Sequence, residues 1–288
     1  MKTIIAATDF SPEAENAVKY AADVALQLKA KLIIFNDVSL EPAWSEYPTP
    51  QDVYEAAIDG AKNLLAETER SIKERTAGII DIETRFNIGS VNNELQSLCD
   101  KEKPIAVFIA THATSGLERF VFGSHAISLA KRNAFPVVII PTPTPDFSGL
   151  KKIALALDLK NPGDISWDFL RAWLKNFDPQ LDIVYIDKAK QTNAGSLPAT
   201  ITVEQQLECF QPQFHIISNE KVEDGIKEYV EKNKPDLLIV HPKKHGLFHK
   251  SESNAFILHP PVPLMTLTDN GYANEEAVAA TQKLQKED

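Results

Sequence analysis

The sequence predicts an α/β protein of two tandem doubly wound units, each a five-stranded parallel sheet with helices on both faces. The chain has 288 residues, about the size of two domains. Short apolar strands alternate with amphipathic helices, as in parallel sheets that are buried on both faces. The same order of elements occurs twice. We therefore expect a first domain over residues 1–143, a linker over 144–150 and a second domain over 151–270.

Each copy opens with a short apolar strand that ends in an aspartate. Residues 2–9, KTIIAATD, resemble residues 152–158, KIALALD. In the first copy a helix is expected over about residues 12–29, because apolar residues recur at helical spacing and Ser11 is a good N-cap before a proline. In the second copy the matching helix is expected over about residues 164–176. Both copies therefore begin as a strand followed by a helix.

The remaining elements also correspond between the copies. A second apolar strand ends in Asp37-Val38 in one copy and in Asp187 in the other, at nearly the same distance from the first aspartate. A helix, a polar strand, a helix and two apolar strands then follow in each copy. In copy one these are expected at about 51–77, 82–87, 91–101, 103–110 and 136–140, and in copy two at about 202–210, 214–217, 222–233, 234–240 and 262–267.

The composition argues against several classes of function. The net charge of −10 is spread over both halves, so there is no footprint for a nucleic-acid backbone or an anionic membrane. No apolar run approaches the ~18 residues that span a bilayer, and no signal-peptide core is present. Cys99 and Cys209 share no motif, which suits a reducing compartment, so we expect a cytoplasmic protein. The acidic tail, residues 271–288, is expected to be a surface helix or a frayed end.

Two segments of the first copy carry a resemblance to tandem universal stress proteins that extends over nearly all of both repeats. They are Thr8-Asp9-Phe10-Ser11, after the first strand, and residues 111–124, THATSGLERFVFGS, with Pro136-Val137 downstream. The resemblance implies a non-catalytic, stress-responsive binding or signalling module. It also implies that the two domains dock through their last strands as an intramolecular pseudo-dimer, and it admits a homodimer of the whole chain. The protein partner stays unidentified at this point.

The family members that bind ATP carry a loop of the type G-x2-G-x9-G-[S/T] after the fourth strand. Laid on this sequence, the four positions of that loop are Ala110, Ala113, Gly123 and Ser124. The spacing is intact, but alanine replaces the first two glycines, and a Cβ hinders the close approach of backbone to phosphate. By resemblance, further contacts come from Ala7, Thr8, Asp9, Val38 and His125. The expected cofactor is ATP or another adenine nucleotide, bound weakly in the first domain.

The second copy departs further from this pattern. Ser253-Asn254 replace Gly123-Ser124, and Pro242 stands where the loop begins, so no nucleotide is expected there. Lys243, Lys244, His245 and His249 leave a positive patch that would suit a smaller anion. The four-residue spacing of His241, His245 and His249 suggests a metal-binding helix face. However, Pro242 and Gly246 interrupt such a helix, so we favour solvated histidines and expect no metal.

Most of these candidates also have a purely structural interpretation. Asp9 and Asp158 lie where open α/β sheets bind ligands, but aspartates at strand ends also serve as turn or N-cap carboxylates. Gly123 and Ser124 suit the cap of a following helix as well as a phosphate. The loop around Trp44 suits either a pocket lid or packing between domains, and we favour packing. Both interpretations stay open at this point.

Two other classes of function remain. One is a nucleotide-independent adaptor or scaffold that acts through protein surfaces, such as the Trp44 loop or the tail. The other is an enzyme that hydrolyses or transfers nucleotides. We disfavour the enzyme because neither an H-x-G-H nor an S-G-G-x-D-S loop occurs, nor any common hydrolase or metalloprotease motif. We therefore expect no catalytic residue.

Overall fold

The computed structural model describes residues 2–38, 51–88, 91–111, 135–160, 165–188, 199–241, 256–257 and 259–267. The strands of the first half are β1 (Thr3–Ala7), β2 (Lys31–Val38), β3 (Ile82–Ile88), β4 (Ala106–Ala110) and β5 (Val137–Ile140), and its helices are α1 (Pro12–Leu28), α2 (Gln51–Arg75) and α3 (Val91–Glu102). The strands of the second half are β6 (Lys152–Ala156), β7 (Gln180–Asp187), β8 (Gln213–Ser218), β9 (Leu237–Val240) and β10 (Leu264–Thr266), and its helices are α4 (Trp167–Leu174), α5 (Thr200–Leu207) and α6 (Val222–Asn233).

All of these strands belong to one ten-stranded sheet, in the order β3-β2-β1-β4-β5-β10-β9-β6-β7-β8. Within each half, neighbouring strands are parallel. The halves join where β5 and β10 pair antiparallel, with Val138 opposite Met265. The predicted α/β class is therefore confirmed, and the two last strands pair as the resemblance implied.

The sheet carries a buried apolar layer on each face. Side chains alternate along the strands, so that Ile4 and Ala6 belong to one layer while Ile5 and Ala7 belong to the other. Helix α1 packs its alanine-rich face on the first layer, and α3 adds Cys99 to the second. The Cys99 thiol is buried, and Cys209 is exposed. Among the described helices, none has the length and apolarity that crossing a membrane requires.

Local sequence signals explain how α1 begins and ends. The Ser11 hydroxyl accepts a hydrogen bond from the Ala14 amide at 3.2 Å, as expected of an N-cap. Lys29 ends the helix in the left-handed conformation at φ 50°. The largest boundary difference concerns α4, which is shorter than the predicted residues 164–176. Its chain continues as hydrogen-bonded turns up to Asp178, whose φ of 46° cannot continue a helix.

The aspartates that end the second strand of each copy are not structurally equivalent. The last residue of β1 is opposite Phe35, two residues before Asp37. The last residue of β6 is opposite Val184, three residues before Asp187. The structural counterpart of Asp37 is therefore Ile186. Because a shift of one residue turns a side chain to the other face of a sheet, Asp37 and Asp187 point to opposite faces. The one-residue difference in spacing, 28 residues from Asp9 to Asp37 and 29 from Asp158 to Asp187, is therefore what separates the two aspartates structurally.

Candidate functional site

The predicted ligand contacts that the structure describes lie together at one edge of the sheet. Ala7 ends β1, Val38 ends β2 and Ala110 ends β4, while Thr8 and Asp9 directly follow β1. Between β1 and β4 the strand order reverses, and ligands bind open α/β sheets at the carboxyl ends of strands beside such a reversal. The remaining predicted contacts lie outside the described residues: Ala113, Gly123, Ser124 and His125.

Two hydrogen bonds fix the start of this edge. The Thr8 amide donates to the Phe35 carbonyl at 2.9 Å, and the Asn36 side-chain amide donates to the Thr8 carbonyl at 2.8 Å. The Thr8 hydroxyl in turn accepts from the Phe10 amide at 3.0 Å. Thr8 is buried, so its main role in the described structure is to tie the ends of β1 and β2 together.

Asp9 is exposed at this edge and is held there by Ser11. Its Oδ1 accepts a hydrogen bond from the Ser11 amide at 3.0 Å and another from the Ser11 hydroxyl at 2.6 Å. The turn requires Phe10 to adopt a φ of 63°, an unusual value for a residue with a side chain. The structural interpretation of Asp9 as a turn carboxylate is therefore confirmed. The same turn keeps the carboxylate at the mouth of the edge.

Sequence reasoning did not single out Asp37, a buried carboxylate at the same edge. It is 7% exposed and pairs in register with Asn87 of β3. Neither carboxylate oxygen of Asp37, nor Nδ2 of Asn87, has a hydrogen bond with the described residues. Burial raises the pKa of Asp37 to about 6, and the Glu94 carboxylate adds to this rise. The Asn87 amide is close enough to oppose the rise, although its geometry is not that of a hydrogen bond. The only signal in the sequence was an aspartate near the end of an otherwise apolar strand.

The corresponding edge of the second half shows a simpler arrangement. Asp158 Oδ1 accepts a hydrogen bond from the Lys160 amide at 3.0 Å, which makes Asp158 a turn carboxylate like Asp9. His241 is buried directly after β9, whereas His245 and His249 lie outside the described residues. In the part of the chain that the structure describes, no group of three or more histidine, cysteine or acidic side chains is placed to hold a metal ion.

A second buried carboxylate lies in the second half, away from either carboxyl edge. Asp182 is fully buried near the start of β7 and accepts a hydrogen bond from the Tyr229 hydroxyl. Lys152 Nζ lies 3.1 Å from its Oδ2, and His215 Nε2 lies 3.3 Å from the same atom. Burial alone would raise the pKa of Asp182, but Tyr229 and Lys152 hold it below its ordinary value. This carboxylate is satisfied by its neighbours, unlike that of Asp37.

These features define a tandem doubly wound α/β protein with a candidate ligand edge in its first half. The model of the universal stress protein family matches residues 1–141. A relative in Staphylococcus aureus strain USA300 that carries a universal stress protein name is 30% identical over 145 residues, which are 49% of this chain and 84% of that protein. The chain therefore belongs to the universal stress protein family.

Solved structures support the same fold over the whole chain. A universal stress protein from Archaeoglobus fulgidus is similar with a TM-score of 0.71 at 15% identity, over 94% of this chain and 97% of that one. A Pseudomonas aeruginosa protein of unknown function is similar with a TM-score of 0.55 at 12% identity, over 100% of this chain and 98% of that one. At these identities the likeness concerns the fold alone.

Proposed function

We propose that the first domain binds an adenine nucleotide weakly, as the sensing part of a non-catalytic, stress-responsive signalling module in the cytoplasm. The observation that carries this proposal is the grouping of Ala7, Thr8, Asp9, Val38 and Ala110 at the carboxyl edge beside the reversal between β1 and β4. Family resemblance assigns contacts to the same residues. The exposed Asp9 carboxylate suits the hydroxyls of a ribose, which are hydrogen-bond donors.

Weak binding follows from the chemistry of the phosphate loop. Ala110, the first loop position, is buried at the end of β4, where the family has glycine. A Cβ at this position and at Ala113 keeps backbone amides from approaching a triphosphate closely. Gly123, Ser124 and His125 remain as the proposed phosphate contacts. Compared with family members that have glycine at both positions, we expect a smaller loss of affinity for a monophosphate than for ATP. A monophosphate makes fewer contacts that depend on the altered positions.

The second domain takes the role of a pseudo-dimer partner without nucleotide. Asp158 is a turn carboxylate, and the sequence after β9 lacks the glycine and serine of the loop. We place the domains at residues 1–143 and 151–270, with the linker at 144–150 and the tail at 271–288. The paired β5 and β10 already cover the edge strands through which single domains would associate.

Calorimetric titration with ATP and AMP tests this proposal, with Asp9→Lys and Asp158→Lys as a matched pair of variants. We expect wild-type protein and Asp158→Lys to bind, and Asp9→Lys to lose binding, because an ammonium replaces the ribose acceptor in only one domain. Prolonged incubation should yield no ADP or AMP from ATP. Absence of binding heat at millimolar nucleotide would contradict the proposed site. An equal loss of nucleotide affinity in both variants would also contradict it.

A second candidate function is the nucleotide-independent adaptor, which one surface favours. The first turns of α2 expose Val53 (48%) and Tyr54 (38%), large apolar side chains that suit a protein contact. Capture of partners by wild-type protein and by a Val53→Glu, Tyr54→Glu variant distinguishes the two functions. A partner that is lost in this variant but retained in Asp9→Lys favours the adaptor, whereas the opposite result favours nucleotide-controlled signalling.

A further inference from the structure

The buried, unsatisfied Asp37 carboxyl group is the feature of the first domain that the proposed function leaves unexplained. Buried polar atoms almost always have a hydrogen-bond partner, and exceptions in native proteins often mark functional sites. Here both carboxylate oxygens and the neighbouring Asn87 Nδ2 lack one among the described residues. The structural counterpart in the second domain is apolar Ile186, so the fold itself does not need a carboxylate at this position.

Asp37 lies beside the candidate nucleotide edge. Ala7 pairs with Phe35, and Asp9 and Asp37 each come two residues later, Asp9 in the turn after β1 and Asp37 near the end of β2. The hydrogen bond from Asn36 to the Thr8 carbonyl holds these two strand ends together. A ligand that spans the ends of β1 and β2 would pass the backbone at Asp37, and contact with its buried carboxyl group belongs to the proposal below.

The carboxyl group of Asp37 presents a different pattern of hydrogen bonds in each protonation state. A neutral acid offers one donor and one acceptor, whereas a carboxylate offers acceptors only. The first pattern complements the Watson–Crick edge of adenine, which has an acceptor at N1 and a donor at N6. The second complements the same edge of guanine, which has donors at N1 and N2. One side chain can therefore form paired hydrogen bonds with either purine, depending on its protonation state.

We propose that Asp37 is the specificity-determining residue of the first domain's nucleotide site, where it contacts the Watson–Crick edge of a purine and selects adenine when neutral and guanine when ionised. This inference rests on the proposed function, because it requires a nucleotide at the same edge. It adds the choice of base, which would otherwise depend on backbone contacts near Val38 alone.

Burial and the nearby charges set the pH range in which the preferred base changes. Burial raises its pKa to about 6, so the neutral form prevails in mildly acidic solution and the carboxylate above neutrality. Among the described elements, α3 contributes the Glu94 carboxylate, which disfavours ionisation of Asp37. The charged residue that follows the neighbouring strand β1 is Asp9. The facing residue on β3 is the neutral Asn87.

Titration with AMP and GMP at about pH 5 and about pH 8 tests the selection. The ratio of the two dissociation constants is the readout, because the titration of the ligand phosphate is the same for both nucleotides and cancels. For wild-type protein, we expect the preference for AMP over GMP to fall about tenfold from the lower to the higher pH, as one bidentate pair is exchanged for another.

Asp37→Asn is the matched variant, because its amide keeps one donor and one acceptor at every pH. We expect this variant to prefer AMP at both pH values, with a ratio that does not change. Asp37→Val should bind both nucleotides with no dependence of the ratio on pH. A wild-type ratio that is the same at both pH values, with binding intact, overturns this inference alone. Absence of binding by all three proteins overturns the proposed function as well.

Discussion

The Tyr229 hydroxyl of α6 donates a hydrogen bond to the Asp182 carboxylate of β7, and both residues are buried. The bond joins a helix to the start of the strand next to the sheet's outer edge in the second domain. Lys152 approaches the same carboxylate from the neighbouring strand β6. A buried charge that loses a partner is costly, since its remaining neighbours cannot replace the lost hydrogen bond.

Removing that hydroxyl should destabilise the second domain. For Tyr229→Phe we expect the free energy of unfolding at about pH 7 to fall by about 1.5–3 kcal/mol, the usual value of a hydrogen bond to a charged group. Urea denaturation followed by far-UV circular dichroism measures the change. The control is Asp182→Asn in the Tyr229→Phe background. A loss in the double variant equal to the sum of the two single losses would show that the residues do not interact.

Asp182 should also contribute to acid unfolding. Because its pKa in the folded state lies below the ordinary value, its contribution to stability is present above about pH 4 and is lost as the pH falls through the folded-state pKa. The Asp182→Asn variant should therefore show a flatter decline of stability in acid than wild-type protein. Parallel profiles of the two proteins below about pH 4 would contradict this assignment.

Asp37 should destabilise the ligand-free protein above neutral pH. Its folded-state pKa of about 6 exceeds the ordinary value of 3.8, so its contribution to stability is present below about pH 4 and is lost as the pH rises through 6. Asp37→Asn should then raise the free energy of unfolding by up to about 3 kcal/mol at about pH 8 and by little at about pH 4. Thermal unfolding at both pH values measures the difference. Equal effects at the two pH values would argue against a buried carboxylate with a raised pKa.

Two helical glycines should respond in opposite directions to alanine. A Cβ on Gly225 of α6 would lie 2.8 Å from Ile186 Cδ1 and 3.2 Å from Asn219 Cβ, whereas a Cβ on Gly60 of α2 meets nothing within 4 Å. We expect Gly225→Ala to cost about 1 kcal/mol, since overpacking outweighs the gain in helix propensity. Gly60→Ala should raise the free energy of unfolding by about 0.5–1 kcal/mol.

Chemical denaturation of both glycine variants at one pH provides the comparison. Because the substitution is the same, the difference between the two results isolates the contact with Ile186. A stabilising Gly225→Ala would mean that α6 packs less closely on β7 than the structure indicates. A destabilising Gly60→Ala would mean that the exposed face of α2 carries a contact with another part of the chain.

Much of the architecture could be predicted from the sequence, because apolar periodicity depends on local residue order. The alternation of strands and helices and the cap at Ser11 followed from spacing and residue type. The pairing of the last strands followed from the family resemblance, and it covers the apolar edge of Val137–Ile140. The gathering of Ala7, Asp9 and Val38 at one edge followed from the common direction of parallel strands.

The tertiary structure alone decided which face each aspartate occupies and what surrounds it. Counting residues made Asp37 and Asp187 look equivalent, but register fixes a side chain's face with a period of two, and a difference of one residue reverses it. Likewise, no local pattern relates Tyr229 to Asp182, since 47 positions separate them and only the packing of α6 on β7 brings them together. Hydrogen bonding and burial depend on such distant neighbours, and these set the charge state of Asp37 and Asp182.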